Sequence, residues 1–510
     1  MLDRGRRDRR GVVAAGLAIP VLWALLAGWW MPRGPVTTGQ ALAVMAIGLA
    51  VGAGAGLLLR SRWALLVTPL VFATVFEVVR LGSVGPTVDG IHVSTYGLLA
   101  FAVGRGFHGV VGLLPMVLGS VLGAGVARRR SSPPVGTPGG GGPRRSAMSM
   151  AGVYARRTVA AATATALLLL AVALARPAGT DPITGPDGTR LSGSVAELTR
   201  VRIGGHDLAI MIRGRSADNP VLLFLAGGPG GTELGAMRHH GQALEDDFVV
   251  VTWDQRGTGR SYDQLEPTST LTLANAVRDT IEVTDYLRDR FGQDKIYLLG
   301  QSWGTILGVL SVQQRPELFH AFIGAGQMVS PRATDLVFYR DSLAWAQRTG
   351  NTTLAATLIR NGPPPYQSAL AYEPALSYES ELYPYDRSRN AEGEGQMSEG
   401  IFVGEYALID QVHNLGAVVD TLALLYPQIQ HIDFRTQATR LEVPVYLFQG
   451  RHEAPGRADL AEEWFGMLSA PRKQLSVAET SGHRPLFEQP DAFHAFMTGV
   501  VLDDRGAGVS

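Results

Sequence analysis

A serine set between two glycines, Gly300-Gln301-Ser302-Trp303-Gly304, is the part of this chain best equipped to do chemistry. Between a strand and a helix, a G-x-S-x-G segment turns the backbone so sharply that the serine hydroxyl stands exposed, and the glycines leave room for the strained turn. The start of the following helix favours negative charge developing there. A serine hydroxyl is a poor nucleophile near neutral pH, so a base must take its proton and a carboxylate must orient that base. After such an elbow the chain order is serine, acid, histidine. His483, in Ser481-Gly482-His483-Arg484, is the candidate base, and Glu453, in Gly450-Arg451-His452-Glu453, the candidate acid. The other positions fit less well. His320 immediately precedes a strand, His413 and His431 fall in a predicted helical lid, and His494 lies on a terminal helix, so each reads as structural. The side chain of His452 should point away from its neighbour Glu453, and Asp459, a substitute acid, falls within the next helix. Acyl transfer also needs N–H donors for the oxyanion. Trp303 supplies one, and the loop Ala226-Gly227-Gly228-Pro229-Gly230-Gly231 supplies the second through Gly228 or Gly227. That loop is no phosphate cradle, because no G-K-[ST] follows it.

Short β-rich runs alternating with helical patterns must position these groups. The segments LTRVRI and DLAIMIR read as a hairpin. VLLFL, FVVVTW, IYLLG and AFIGAG are the near-continuous apolar runs of a parallel sheet covered on both faces, with helices such as 276–290 between them. VPVYLFQG and KQLSVAE continue the sheet just before the acid and the histidine. The expected fold is therefore α/β, of the α/β-hydrolase type, with its core in 190–330 and 441–505. Residues 331–440, with helical runs at 336–348 and 406–426, form a cap over the elbow.

The first third of the chain has a different composition. Apolar runs at 11–31, 40–59, 63–79, 107–127 and 158–175 suit helices crossing a hydrocarbon core of roughly 30 Å. They predict a membrane region of about four spans over 1–127, a cytoplasmic flexible linker over 128–157, where SSPPVGTPGGGGPRRS cannot bury a core, and a fifth span over 158–176. Residues 96–127 are long for one span, and a short interfacial or re-entrant piece before it keeps the count at five. Cytoplasmic flanks collect arginine. The clusters Arg4, Arg6, Arg7, Arg9 and Arg10; Arg60 and Arg62; and Arg128, Arg129, Arg130, Arg144, Arg145, Arg156 and Arg157 all fall on one side if there are five spans, which puts the hydrolase outside the cell membrane. The fifth run ends in Ala173-Leu174-Ala175 and also fits a signal peptide if translation starts at Met148 or Met150. Glu77, Arg105 and His108, in or near the apolar runs, are assigned no role. Lysine plus arginine equals aspartate plus glutamate at 45 each, so net charge points to no nucleic-acid partner, and the absence of cysteine excludes disulfides and thiolate chemistry.

Taken together, AGGPG at 226–230, DQRGTGRS at 254–261, GQSWG at 300–304, GRHE at 450–453 and SGH at 481–483 resemble the proline iminopeptidase (prolyl aminopeptidase) family of α/β-hydrolases in order and spacing. The resemblance runs from about residue 199 to 498 and leaves out the membrane region. It departs at Ala226, where the family has histidine, and at Glu453, where it has aspartate. It implies a supporting role for Asp254 and Arg256 and an acidic cap that binds a peptide amino terminus, for which Glu399 and Glu405 are the candidates. The implied activity is metal- and cofactor-free release of an N-terminal residue from a short peptide. The alternatives are hydrolysis of small esters, favoured by a neighbouring lipid bilayer, and a non-catalytic ligand-binding receptor.

Overall fold

The computed structural model describes residues 2–130, 147–393 and 398–503, the side chains of 2–9, 147–153, 398 and 399 excepted. Of the expected linker at 128–157, residues 128–130 and 147–157 are helical, while 131–146, with Arg144 and Arg145, lie outside the described residues, as do the side chains of Arg4, Arg6, Arg7, Arg9 and Glu399. The chain divides into two compact units. One comprises Met1–His92, Leu98–Pro177 and Ala407–Val412; the other comprises Val93–Gly97, Ala178–Tyr406 and His413–Ser510.

The first unit is helical, with α1 (Leu2–Trp30), α2 (Thr38–Leu59), α3 (Ala64–Val79), α4 (Thr95–Phe101), α5 (Phe107–Arg130) and α6 (Ala147–Ala175). Among the described residues, four stretches are long and apolar enough to cross a membrane: Arg10–Trp30, Thr38–Leu59, Thr95–Arg130 and Tyr154–Ala175. The third expected span forms the shorter helix α3, whose 16 residues rise about 24 Å. The segment expected to hold a separate re-entrant piece is instead helical throughout, because a π-helical turn at Ala102–Gly106 joins α4 to α5 without a break. On that turn, Arg105 donates to the carbonyls of Val88 at 2.5 Å and Asp89 at 2.7 Å. Arg80 pairs with Glu77 at 2.9 Å and donates to the Pro32 carbonyl at 3.1 Å. These ionisable groups therefore brace the loop after α3.

Helices α2 and α5 pack in parallel through glycines. A Cβ added at Gly52 would lie 2.0 Å from the Met116 carbonyl oxygen, and one at Gly56 2.4 Å from that of Ser120. From the other side, a Cβ at Gly119 would lie 2.1 Å from the Leu49 oxygen, and one at Gly123 2.1 Å from that of Ala53. Inside a bilayer, where apolar helices have no hydrophobic drive to associate, backbone approach of this kind would supply the packing.

The second unit holds an eight-stranded sheet in the order β1-β2-β4-β3-β5-β6-β7-β8. The strands are β1 (Val195–Ile203), β2 (His206–Gly214), β3 (Val221–Leu225), β4 (Val249–Trp253), β5 (Ile296–Gln301), β6 (Phe319–Ala325), β7 (Val445–Gly450) and β8 (Lys473–Ala478). β1 and β2 form the expected antiparallel hairpin, β2 pairs antiparallel with β4, and every later pairing is parallel. β3, β4, β5 and β7 are buried at every position, as runs without polar alternation require. β6 begins at Phe319, so His320 lies inside the strand rather than before it, its ring 5.1 Å from that of Tyr297. Helices α7 (Leu234–His240), α8 (Leu273–Phe291) and α9 (Trp303–Gln314) flank the sheet. Between β6 and β7 the cap includes Pro331–Thr349, Thr352–Asn361 and Leu408–Leu425, with shorter turns between them.

Candidate active site

The elbow forms where β5 runs into α9. Ser302 sits between them with φ 51° and ψ −117°, a positive φ that a non-glycine residue adopts only where its surroundings enforce it. Both flanking glycines are forced by close approach: a Cβ at Gly304 would lie 2.0 Å from the Leu225 carbonyl oxygen, and one at Gly300 2.5 Å from that of Gly304. The helix thus starts directly against the ends of β3 and β5, with Ser302 on its N-terminal side.

Three loops at the carboxyl ends of strands bring the remaining groups to this serine. His483 Nε2 lies 2.8 Å from Ser302 Oγ, and His483 Nδ1 lies 2.5 Å from Glu453 Oε2. The second carboxylate oxygen of Glu453 accepts from the Ala454 N–H and from Arg457 Nε, each at 2.8 Å. Burial pushes the Glu453 carboxyl up, but the Arg457 guanidinium and His483 outweigh it and hold the group down at about 2. Glu453 is therefore ionised at any neutral pH and can hold the imidazole with Nδ1 protonated and Nε2 directed at the serine. Arg457, which also pairs with Glu379 and stacks over Phe338, was not singled out by its sequence; its signal is the four-residue spacing from Glu453 into the helix Pro455–Met467.

The expected oxyanion donors separate. Trp303 is the first residue of α9, where the amide has no partner within the helix. Gly227, by contrast, donates its N–H to Glu233 Oε2 at 3.0 Å, which leaves the Gly228 amide as the loop's candidate donor. Gln255 ties the two halves of this region together: it accepts from the Trp303 indole at 2.9 Å and donates to the Ala226 carbonyl at 3.3 Å. Asp254 and Arg256 act as supports, as the resemblance implied. Asp254 accepts from the Arg260 N–H and the Tyr406 hydroxyl, while Arg256 donates to the carbonyls of Gln264, Leu265 and Pro267.

A cavity of about 240 Å³ opens over Ser302 and His483, bounded by the glycine loop and by Ile401, Asn414 and Val418 of the cap. Glu233 and Arg484 also line it. Arg484 pairs with both Glu233 and Glu392, so two carboxylates share one guanidinium, and burial pushes the Glu392 carboxyl up. Neither glutamate stood out from sequence, because only the folded loops bring them to Arg484. Glu405, expected to bind substrate, is instead buried away from the cavity lining, where it accepts from Thr180 at 3.2 Å and faces Arg238 at 3.8 Å. The remaining histidines are engaged elsewhere. His413 is buried against Tyr262, which drives its pKa down to about 4, His494 pairs with Asp247, and His452 stacks flat on Tyr385. Asp459 and His431 are exposed. Among the described residues, no cluster of histidine, aspartate and glutamate could hold a metal ion.

A mostly parallel sheet, a serine elbow at the strand-to-helix turn after β5 and a cap inserted after β6 define an α/β-hydrolase. Within that class the chain belongs to the serine aminopeptidase (S33) family of hydrolases, whose model matches residues 222–490. It is 30% identical over 303 residues to the probable aminopeptidase YbaC of Bacillus subtilis, covering 59% of this chain and 94% of that one. A probable proline iminopeptidase of Leptolyngbya boryana is 29% identical over 140 residues, covering 28% of this chain and 41% of the relative. Among solved structures, the proline iminopeptidase-related protein of Thermus thermophilus aligns with 60% of this chain and 98% of its own, at 22% identity and a TM-score of 0.43. The chain is thus a proline iminopeptidase-like hydrolase fused to a helical N-terminal region.

Proposed function

We propose that this protein is a membrane-anchored serine hydrolase that releases N-terminal residues from short peptides outside the cytoplasmic membrane. The observation that carries the reading is the unbroken line from Glu453 through His483 to Ser302, at 2.5 and 2.8 Å. In this reading His483 Nε2 takes the hydroxyl proton as Ser302 Oγ attacks the substrate carbonyl, and the amides of Gly228 and Trp303 receive the oxyanion. His483 then gives that proton to the leaving amine, and the C–N bond breaks to leave an acyl-serine. A water, deprotonated by the same histidine, attacks the acyl carbon; the serine leaves with the proton and the free amino acid departs. Glu233 lines the cavity, and the Arg484 guanidinium beside it is shared with a second carboxylate, Glu392, behind the wall; this local excess of carboxylates over cations suits a substrate carrying a free ammonium group.

Membrane anchoring is supported by the helices and by their order. Because α2 and α5 run parallel, the chain must return across between them, and α3 is the helix between them long enough to do so. Five crossings then put Arg62, Arg128 and Arg156 on the cytoplasmic side and the hydrolase on the other.

The test uses the full chain in detergent with a fluorophosphonate probe, followed by aminoacyl arylamides, prolyl among them, and short-chain esters. Labelling of the wild type but not of Ser302→Ala, with arylamide turnover, is the expected result. Turnover of esters alone would replace the peptidase reading with an esterase. A folded chain that never labels would leave a ligand-binding receptor.

A further inference from the structure

The helical unit holds a cavity lined by none of the residues of the hydrolase site. It measures about 650 Å³, within the range of lipid- and drug-sized pockets, and is formed by the α2–α3 turn, the C-terminal half of α5 and α6. Its lining has two chemistries. Arg62, Arg128 and Arg156 are exposed at its lining, whereas much of the rest is apolar, including Leu65 of α3, Leu114 and Leu118 of α5, and Val159 of α6.

The two chemistries are separated along the helices. On α5 the lining runs from Arg128 back to Leu114, about 21 Å of helix. Arg62 and Arg128 lie at the same end, because α2 and α5 are parallel and both residues follow or close their C-terminal turns. Within the apolar part, the Ser120 hydroxyl is fully buried and has no hydrogen-bond partner among the described residues. Among the described residues no acidic side chain lines the cavity, and none occurs in the sequence between Asp8 and Glu77 or between Asp89 and Asp181. Asp3 and Asp8 precede the first of these gaps, but they sit among five arginines.

We infer that this cavity binds one anionic phospholipid of the cytoplasmic leaflet. Its phosphate lies among the three guanidinium groups, an acyl chain lies along the leucines of α3 and α5, and the Ser120 hydroxyl donates to an ester carbonyl. Guanidinium groups suit phosphate through parallel N–H donors, and a basic pocket between membrane helices on the cytoplasmic side recognises charged headgroups. A free anion would leave the apolar length unfilled, and a zwitterionic lipid would bring its own cation to the arginines.

The inference rests on the helices lying in a bilayer, which a carbonate wash checks first: an embedded chain stays with the membrane pellet. The full chain, delipidated in detergent, is then titrated with phosphatidylglycerol or phosphatidylcholine in mixed micelles and read by native mass spectrometry. One phosphatidylglycerol should bind per chain, with phosphatidylcholine and inorganic phosphate failing to displace it. Arg62→Gln, Arg128→Gln and Arg156→Gln combined should weaken binding by about a hundredfold. The triple lysine variant should keep most of it, and Ala160→Trp, which fills the apolar part with the charges intact, should also weaken it. Fluorophosphonate labelling of Ser302 should remain in every variant and report that the hydrolase is folded. Equal binding of both lipids, displacement by phosphate, or wild-type affinity in the triple glutamine variant would overturn the inference. If carbonate strips the chain from membranes, the bilayer reading fails, while the micelle titration still decides the cavity.

Discussion

At the level of single residues, the contact between Glu453 and Arg457 sets how the site responds to acid. Glu453 is held at about 2 against an ordinary 4.5. With its folded value depressed, its ionisation stabilises the fold fully above 4.5, and that contribution is lost as the pH falls through about 2. Replacing Arg457 with methionine removes the nearest cation, so the Glu453 carboxyl rises and the acid-induced loss of stability begins at a higher pH. The same change strands the buried Glu453 carboxylate, as well as unpairing the half-buried Glu379, and should cost about 3–5 kcal/mol of stability, measured by denaturant unfolding. Glu453→Gln keeps the shape but favours the wrong imidazole tautomer, and should lower kcat by about 10⁴ with little change in KM. Unchanged turnover would remove Glu453 from the mechanism. Ser302, His483 and Glu453 were legible because each stands at a fixed offset from a strand end. The choice between Gly227 and Gly228 was not, because it depends on a glutamate six residues on folding back to one amide. Glu405 misled for a similar reason: sequence shows an acid in the cap but not that Thr180 and Arg238 already occupy it.

At the level of elements, the apolar runs were read correctly as strands and helices because a strand covered on both faces needs no polar positions, and a run of about 20 apolar residues without turn residues suits a long helix. The π turn at Ala102–Gly106 and the short cap turns were not legible, since backbone pairing and tertiary contacts decide them rather than periodicity. Two contrasts test the packing. Gly52→Leu sets a side chain against the Met116 carbonyl and should destabilise the detergent-solubilised chain by about 1–3 kcal/mol or more, whereas Gly125→Leu, with nothing within 4 Å of its added Cβ, should not. Thermal unfolding followed by size-exclusion chromatography distinguishes them. At the elbow, Gly304→Ala drives a methyl group into the Leu225 carbonyl, and should abolish probe labelling even where soluble protein is recovered.

For the molecule as a whole, the absence of cysteine makes its orientation directly measurable. In intact cells an impermeant maleimide should label Ala217→Cys on the hydrolase unit and leave Arg130→Cys unlabelled until the membrane is opened. The reverse pattern would place the hydrolase in the cytoplasm and overturn the proposed orientation. The division into a helical region and a hydrolase was plain from composition alone, whereas the cavity with three arginines was not, because its walls come from three separate stretches of chain.

The glycine contact between α2 and α5 also shapes how this gene can drift. Every amino acid other than glycine carries a Cβ, so Gly52, Gly56, Gly119 and Gly123 have no conservative replacement, and any missense change in their codons meets a carbonyl oxygen. Selection should therefore leave a stripe of invariant glycines, spaced four apart, through helices whose exposed apolar positions interchange freely among apolar residues. A saturation mutagenesis library selected for membrane accumulation would reveal that stripe without reference to the hydrolase.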